Sequence, residues 1–127
     1  MTTAPRPLSS SQRQRYARHV LLPEVGVAGQ VRLLDACARV LGEGVAAQEA
    51  ALYLAAAGVG RLVLDPRLSA LVERIAAMNP DVHVAFDGPG LVVEPREPAR
   101  RAAGADAALQ ALLTILGLAT RGHSEMP

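Results

Sequence analysis

The sequence predicts an α/β domain with three layers around a small, mostly parallel sheet. Short apolar runs alternate with Ala- and Leu-rich segments in the order β-α-β-α-β-β-α, an alternation typical of parallel sheets covered by helices. A glycine loop at residues 42–44 joins the first apolar run to the first long helical segment. The chain has 127 residues and half of them are apolar, so we expect one folded domain with a core of Leu, Val and Ala.

The stretch RVLGEGVAAQEAALYLAAAGVGRLVLD, residues 39–65, has the form of a nucleotide-binding unit. An apolar run enters Gly42, helix formers follow, Gly58 stands where a left-handed helix cap favours glycine, and a second β-rich run ends in Asp65. The N-terminus of the helix would present N–H groups to an anion. Asp65 stands where a carboxylate accepts hydrogen bonds from ribose hydroxyls. The pattern therefore predicts a Rossmann-like strand–loop–helix–strand unit.

The glycine loop, GEGVAA at residues 42–47, departs from the usual pattern. Gly42 and Gly44 keep the tight turn, and Ala47 is an accepted replacement for the third glycine. Val45 is β-branched and narrows the space at the start of the helix. Glu43, if it points inward, would repel a phosphate by roughly a few kcal/mol at an effective dielectric near 20. Two interpretations stay open: a loop that holds a phosphate weakly, and a turn that binds nothing.

The predicted domain covers residues 11–118, between flexible tails at residues 1–10 and 119–127. Ser11 is predicted to cap the first helix. A turn-rich link over residues 21–30 and a short helical turn are predicted to lead to the first strand.

The second half of the domain is predicted to contain two helices and two strands. Pro66 is predicted to open a helix that the Asn-Pro pair at residues 79–80 ends. Short strands are predicted at residues 82–86 and 91–94, followed by a long helix over residues 99–118. Leucines run almost around that last helix, so we expect it to need cover on most of its sides.

Composition excludes several kinds of chemistry. All 13 basic residues are arginine, so a Schiff base or a lysine base is excluded. A net charge of +1 gives no reason to expect nucleic acid or a membrane surface as partner. Neither a membrane-spanning run nor a signal peptide is visible, so cytoplasm is expected. Cys37 is the one cysteine, and the three histidines lack metal-ligand spacing, so we expect no zinc.

Three segments resemble a known family. RYARHVLLPEVGVAGQVRLLDA at residues 15–36, the stretch at residues 39–65, and LVERIAAMNPDVHV at residues 71–84 are similar to the N-terminal part of the ThiF/MoeB/HesA family, bacterial relatives of ubiquitin-activating enzymes. The resemblance covers about residues 14–84, with a weaker similarity to residue 118.

The resemblance implies an adenylyltransferase that uses MgATP. Family members adenylate the C-terminal Gly-Gly of a small ubiquitin-like sulfur carrier, release pyrophosphate and are usually homodimers. By this resemblance Arg18 matches an arginine that reaches the phosphates of the neighbouring subunit's nucleotide. Gly42 and Gly44 match the nucleotide loop, and Asp65 matches the ribose-binding acid.

The same resemblance shows departures. The family segment SNL-x-RQ, which supplies an arginine to the phosphates, is missing, because Asp65 is followed at once by Pro66. Arg67 takes the place of an ATP-contacting lysine, although arginine lacks lysine's geometry. Glu97 stands in place of the catalytic, magnesium-associated aspartate, with Glu94 as its partner. The CxxC zinc pairs, the catalytic-cysteine loop and the carrier-docking half have no counterpart.

Three functions are therefore weighed. The first is a degenerate, shortened family member, with weak or no MgATP binding, that serves as a homodimer or pairs with a full-length relative or a sulfur carrier. The second is a minimal adenylyltransferase completed by a partner subunit. The third is a Rossmann-like domain that binds NAD or nothing.

Overall fold

A four-stranded sheet forms the centre of the computed structural model, which describes residues 7–95 and 103–118. All strand pairs are parallel, and the strand order is β3-β2-β1-β4. The strands are β1 (Cys37–Val40), β2 (Arg61–Val63), β3 (His83–Ala85) and β4 (Leu91–Val93). The predicted class is confirmed: a small parallel sheet flanked by helices, as in a shortened Rossmann-like fold.

The described part of the chain contains six α-helices and one 3-10 helix. They are α1 (Ser10–Arg15), α2 (Ala17–Val20), α3 (Gly26–Asp35), α4 (Val45–Ala57), the 3-10 helix Pro66–Leu68, α5 (Leu71–Met78) and α6 (Ala103–Leu116). No helix in residues 7–95 or 103–118 has both the length and the apolar composition needed to cross a membrane. The predicted tail at 119–127, and residues 1–6 of the other predicted tail, lie outside the described residues.

Two predictions for the N-terminal segment are wrong. Ser9, not Ser11, caps α1, because Ser9 and Gln12 form a reciprocal capping box. The predicted link over residues 21–30 is helical from Gly26 onward. Gly26 has a φ of 59°, so this glycine permits the left-handed turn that starts α3.

The core lies between the sheet and α4. Ala38 and Val40 of β1 and Leu62 of β2 are buried with Leu54 of α4. Small residues let the helix approach closely, and Gly58 ends it with a φ of 93°, which confirms the predicted glycine cap. The remaining members of the cluster come from α4 itself and from the elements packed around it, and include Ala47, Ala50, Ala51, Ala55, Ile75, Val82, Val93, Ala108 and Ala111.

Helix α6 packs on α4 through small residues. A Cβ at Gly104 would lie 2.3 Å from the carbonyl oxygen of Ala46 and 2.4 Å from Cβ of Glu49, so only glycine permits this approach. The amide of Gly104 also donates to Oε1 of Glu49 at 3.0 Å. The far side of α6 is open, since Leu109 is 51% exposed, and with Leu22 it lines an apolar groove of about 340 Å³.

The N-terminal helices close the end of the sheet at which the strands begin. The Tyr16 ring packs beneath Gly58, and its hydroxyl donates to Asp81, just before β3, at 2.8 Å. The side-chain amide of Gln30 donates to the carbonyl of Ala57 at 3.1 Å. These contacts place α1, α2 and α3 beside the C-terminal end of α4.

The segment from residue 86 to residue 90 joins β3 to β4 across the sheet. The thiol of Cys37 donates to the carbonyl of Pro89 at 3.2 Å. A Cβ at Gly90 would lie 3.1 Å from the amide nitrogen of Arg39, so a side chain there would push the segment and β1 apart by a few tenths of an ångström. This crossing brings β4 to the far side of β1.

Candidate functional site

The candidate site lies where β1 and β2 end. A cavity of about 130 Å³ is lined there by Gly42, by Asp65 and by Phe86, among other residues. Gly42 has a φ of 97°, and a Cβ there would meet only Cβ of Ala47, at an ordinary 3.7 Å. Its backbone angle, rather than lack of space, therefore favours glycine at this position.

The glycine loop leads directly into α4. Gly44 is the N-cap residue of α4 and has extended backbone angles, with no side chain capping the helix. Ala47 is fully buried beneath the loop, as expected for the residue that allows close contact between helix and strand. Val45 is 65% exposed and does not line the cavity.

Arg67 bridges two carboxylates beside the cavity. Its Nε lies 2.6 Å from Oε1 of Glu43 and 3.0 Å from Oδ1 of Asp65. Its terminal NH2 group donates to Oδ2 of Asp65 at 3.0 Å, and its backbone amide donates to Oδ1 at 2.8 Å. We call Glu43, Asp65 and Arg67 the Arg67 cluster.

The contacts of the Arg67 cluster favour the charged forms of Asp65 and Arg67. Hydrogen bonds from the Arg67 side chain, then from its backbone amide, lower the pKa of Asp65 to about 2. The hydrogen bond and charge of Asp65, together with the charge of Glu43, raise the pKa of Arg67. Arg67 and Glu43 are solvent-exposed, so water and salt weaken their ion pair.

Both oxygens of Asp65 already accept hydrogen bonds, which bears on ribose recognition. Asp65 also caps the 3-10 helix that follows it. Oδ1 accepts two hydrogen bonds and Oδ2 one, so ribose hydroxyls would have to share this carboxylate with Arg67. Glu43 is turned towards Arg67 across the end of β2, so its charge is partly compensated rather than directed alone at the loop.

Arg18 lies at the other end of the molecule. It belongs to α2, where the neighbouring His19 ring nitrogen Nδ1 lies 2.9 Å from Oε1 of Gln30, and Gln30 bonds the C-terminal end of α4. The loop is at the N-terminal end of α4, a helix of 13 residues that is about 20 Å long. One chain does not bring Arg18 to its own loop.

Neither of the two carboxylates predicted near β4, Glu94 and Glu97, is seen at this cavity. Glu94 follows β4 and is exposed, and it does not line the cavity. Glu97 lies outside the described residues. The structure thus brings together Gly42, Asp65 and Arg67, and leaves Arg18 apart.

The cavity is small for a ligand pocket. Ordinary ligand pockets measure about 300–1,000 Å³, and the cavity has about 130 Å³. Within the described ranges, no group of three His, Cys, Asp or Glu side chains could hold a metal ion.

The residues of the family-like opening motif form a second polar cluster, which sequence reasoning did not predict. Asn79 donates through Nδ2 to the hydroxyl of Tyr16 and to the carbonyl of Ala55, each at 2.9 Å. Tyr16 and Asn79 are each 1% exposed, and burial is the main cause that raises the pKa of Tyr16 to about 12. Tyr16, Gln30 and Asn79 therefore fasten the N-terminal helices to α4.

The chain is similar in sequence to several known proteins. The heterocyst HesA protein of Trichormus variabilis is 35% identical over 100 residues, which cover 61% of this chain and 38% of that protein. The SAMP-activating enzyme E1 of Haloferax volcanii is 47% identical over 80 residues, or 63% of this chain and 29% of that protein. The sulfur carrier protein ThiS adenylyltransferase of Escherichia coli is 43% identical over 72 residues, or 54% of this chain and 29% of that protein. No protein-family model matches the chain.

Fold and site define an α/β protein with a nucleotide-binding type of strand–loop–helix unit. Over 54–63% of its length, these relatives support the chain as a partial member of the ThiF/MoeB/HesA family. It spans less than two fifths of the length of each relative named here.

Proposed function

We propose that this chain is a degenerate ThiF/MoeB-like protein that acts as a non-catalytic binding or dimerisation partner in the activation of a ubiquitin-like sulfur carrier. The observation that supports it most is the Arg67 cluster. Arg67 occupies both oxygens of Asp65 and also pairs with Glu43 of the loop. The acid expected to hold a ribose is thus already bound by a neighbouring side chain.

The requirements of adenylation support a non-catalytic role. Forming an acyl-adenylate needs phosphate donors and a metal-binding carboxylate in place at the same time. Beside the cavity, Arg67 is already paired with Glu43 and Asp65, and Arg18 lies at the opposite end of α4, where it could serve only the site of another chain. The sequence offers no lysine as a replacement.

Calorimetry with MgATP tests this proposal. We expect weak or undetectable heat with the chain alone, because Asp65 is engaged and the cavity is small. Arg67→Ala should strengthen binding if Arg67 blocks Asp65, and weaken it if Arg67 contacts ATP as the family lysine does. Arg74→Ala is the matched control, since Arg74 is an exposed arginine on α5. Tight MgATP binding that Arg67→Ala abolishes would contradict the proposal.

A minimal adenylyltransferase completed by a partner is the second candidate. One observation favours it: Arg18 is exposed at the end of the molecule away from its own loop, where it could face the site of another chain. Mixing this chain with a full-length relative distinguishes the two. If Arg18→Ala lowers the rate of adenylation by the mixture, the second candidate is supported. If the rate is unchanged, the first candidate is supported. A parallel titration with NAD tests the dinucleotide alternative.

A further inference from the structure

The Nε atom of Arg67 has two carboxylates within reach of its one N–H group. A guanidinium Nε carries a single hydrogen. In Arg67 this atom lies 2.6 Å from Oε1 of Glu43 and 3.0 Å from Oδ1 of Asp65. The shorter distance is to Glu43, the acid inside the glycine loop. The two carboxylates therefore compete for the same donor, and a small rotation of the guanidinium decides which of them holds it.

The solvent exposure of the Arg67 cluster makes the two positions of the guanidinium similar in free energy. The side chain of Arg67 is 69% exposed and that of Glu43 is 48% exposed. Exposed ion pairs contribute little because water and salt screen them. Asp65 receives one further bond, from the terminal NH2 group, and Glu43 has the shorter contact. A ligand that occupies Asp65 therefore needs only a small differential affinity to move Arg67 to Glu43.

The Asp65 carboxylate keeps its orientation when the guanidinium leaves. The backbone amide of Arg67 donates to Oδ1 of Asp65 at 2.8 Å, the bond that caps the 3-10 helix. This donor belongs to the main chain, so it stays in place when the side chain moves. Among the described residues, Oδ2 accepts only from the Arg67 side chain. With Arg67 on Glu43, Asp65 is therefore an oriented carboxylate with a free oxygen, as recognition of ribose hydroxyls requires.

We propose that Glu43 is a positioning residue that opens this site by taking Arg67 from Asp65 when the ribose of a nucleoside binds. In the closed position the guanidinium holds Asp65. In the open position it pairs with Glu43, and Asp65 accepts the ribose hydroxyls. Glu43 acts through Arg67 and does not touch the ligand. The ligand class is a nucleoside that keeps both hydroxyls of its ribose.

The charge of Glu43 has the opposite effect on the phosphates of a nucleotide. Glu43 belongs to the loop that leads into the N-terminus of α4, where a phosphate would lie. A carboxylate there repels an anion. Glu43 thus favours the ribose and opposes the phosphates, and the two effects partly cancel when ATP is the ligand. Adenosine, which has the ribose without the phosphates, isolates the first effect.

This inference deepens the proposed function and rests on its premise that Arg67 restrains Asp65. It names the regulation of the same site, and adenylation and partner binding do not enter it. Adenosine binding that does not depend on Glu43 would overturn the inference and leave the non-catalytic role standing. Carrier-dependent adenylation by the chain alone would contradict the non-catalytic role and leave the effect of Glu43 on adenosine unchanged.

Adenosine titrations followed by NMR give the first test. Glu43→Gln keeps the shape of the side chain and removes its charge, so Arg67 stays on Asp65. The dissociation constant for adenosine should then rise about fivefold, which corresponds to one exposed ion pair. Glu73→Gln is the matched control, since Glu73 is an exposed glutamate on α5, and should leave the constant unchanged. The wild-type chain should bind 2′-deoxyadenosine more weakly than adenosine.

The Arg67→Ala background separates a positioning role of Glu43 from a direct one. Without the guanidinium Asp65 is free, so Arg67→Ala should bind adenosine more tightly than the wild-type chain. Adding Glu43→Gln to Arg67→Ala should change nothing further, because Glu43 acts only through Arg67. A direct contact with adenosine, or a structural role in the loop, would give the same loss in both backgrounds.

The Nε–H signal of Arg67 reports its position directly. With adenosine bound to the wild-type chain, Glu43 holds this N–H group, so its signal should stay protected from exchange with water. With adenosine bound to Glu43→Gln, the group has lost its charged acceptor and should exchange faster. This comparison follows the arginine itself and does not depend on how tightly the ligand binds.

Four results would overturn the proposal. They are adenosine binding that is absent from both the wild-type chain and Arg67→Ala, Glu43→Gln that binds adenosine at least as tightly as the wild-type chain, a loss from Glu43→Gln that persists in the Arg67→Ala background, and an Arg67 Nε–H group that exchanges equally fast in the two adenosine complexes. The third result would assign Glu43 a direct or structural role in the loop.

Discussion

Replacing Gly58 by alanine should destabilise the protein through two separate effects. Gly58 has a φ of 93°, and a Cβ there would lie 2.6 Å from Nε2 of Gln30 and 2.8 Å from Cε1 of Tyr16. The left-handed angle costs an alanine about 1–2 kcal/mol, and overpacking typically adds about 1–3 kcal/mol. Neither neighbour can easily move, because both are buried and hydrogen-bonded. We therefore expect a loss of about 2–5 kcal/mol.

Gly26→Ala is the matched control for Gly58→Ala. Its φ is 59°, and a Cβ there would meet nothing within 4 Å, so only the angle should cost free energy, about 1–2 kcal/mol. Urea unfolding followed by circular dichroism measures both losses, and a small domain should unfold in two states. Equal losses in the two variants would refute the argument that Tyr16 and Gln30 hold the cap of α4.

Three further predictions concern the same contacts and the Arg67 cluster. Tyr16→Phe should cost about 1–3 kcal/mol, because Asn79 loses a buried partner, and urea unfolding checks it against Tyr53→Phe, an exposed tyrosine. Gly104→Ala should cost several kcal/mol, since α6 must move away from α4; unchanged stability would contradict this. The pKa of Asp65 is lowered, so its stabilisation is present above about pH 4 and is lost as pH falls towards 2. Asp65→Asn should flatten the unfolding free energy over that window, and an unchanged acid profile would argue against the cluster.

The βαβ unit could be predicted from sequence because its signals are local. Positive backbone angles require glycine at Gly42 and Gly58. The position of Asp65 follows from its place just after the second strand of the unit. The start of α3 was missed because Gly26 and Gly29 read as a turn, although Gly29 is a packing position beside Leu116.

The Arg67 cluster could not be predicted because it depends on side-chain direction. Glu43 and Arg67 are far apart in sequence and meet only when the ends of β1 and β2 stand side by side. The sequence did not indicate whether Glu43 points into the loop. In the structure its side chain points towards Arg67. The position of Arg18, away from its own loop, likewise needed the packing of α2 and α3 against α4.

Exchange of labelled pyrophosphate into ATP tests the central claim most directly. The assay uses the pure chain with a small ubiquitin-like protein ending in Gly-Gly, and the Escherichia coli ThiS adenylyltransferase with its carrier as the positive control. We predict no carrier-dependent exchange by this chain, because Asp65 is paired with Arg67 and the sequence has neither the SNL-x-RQ segment nor a lysine. Robust exchange that is lost on Glu97→Ala would contradict the account and make Glu97 the metal-binding carboxylate of an active enzyme.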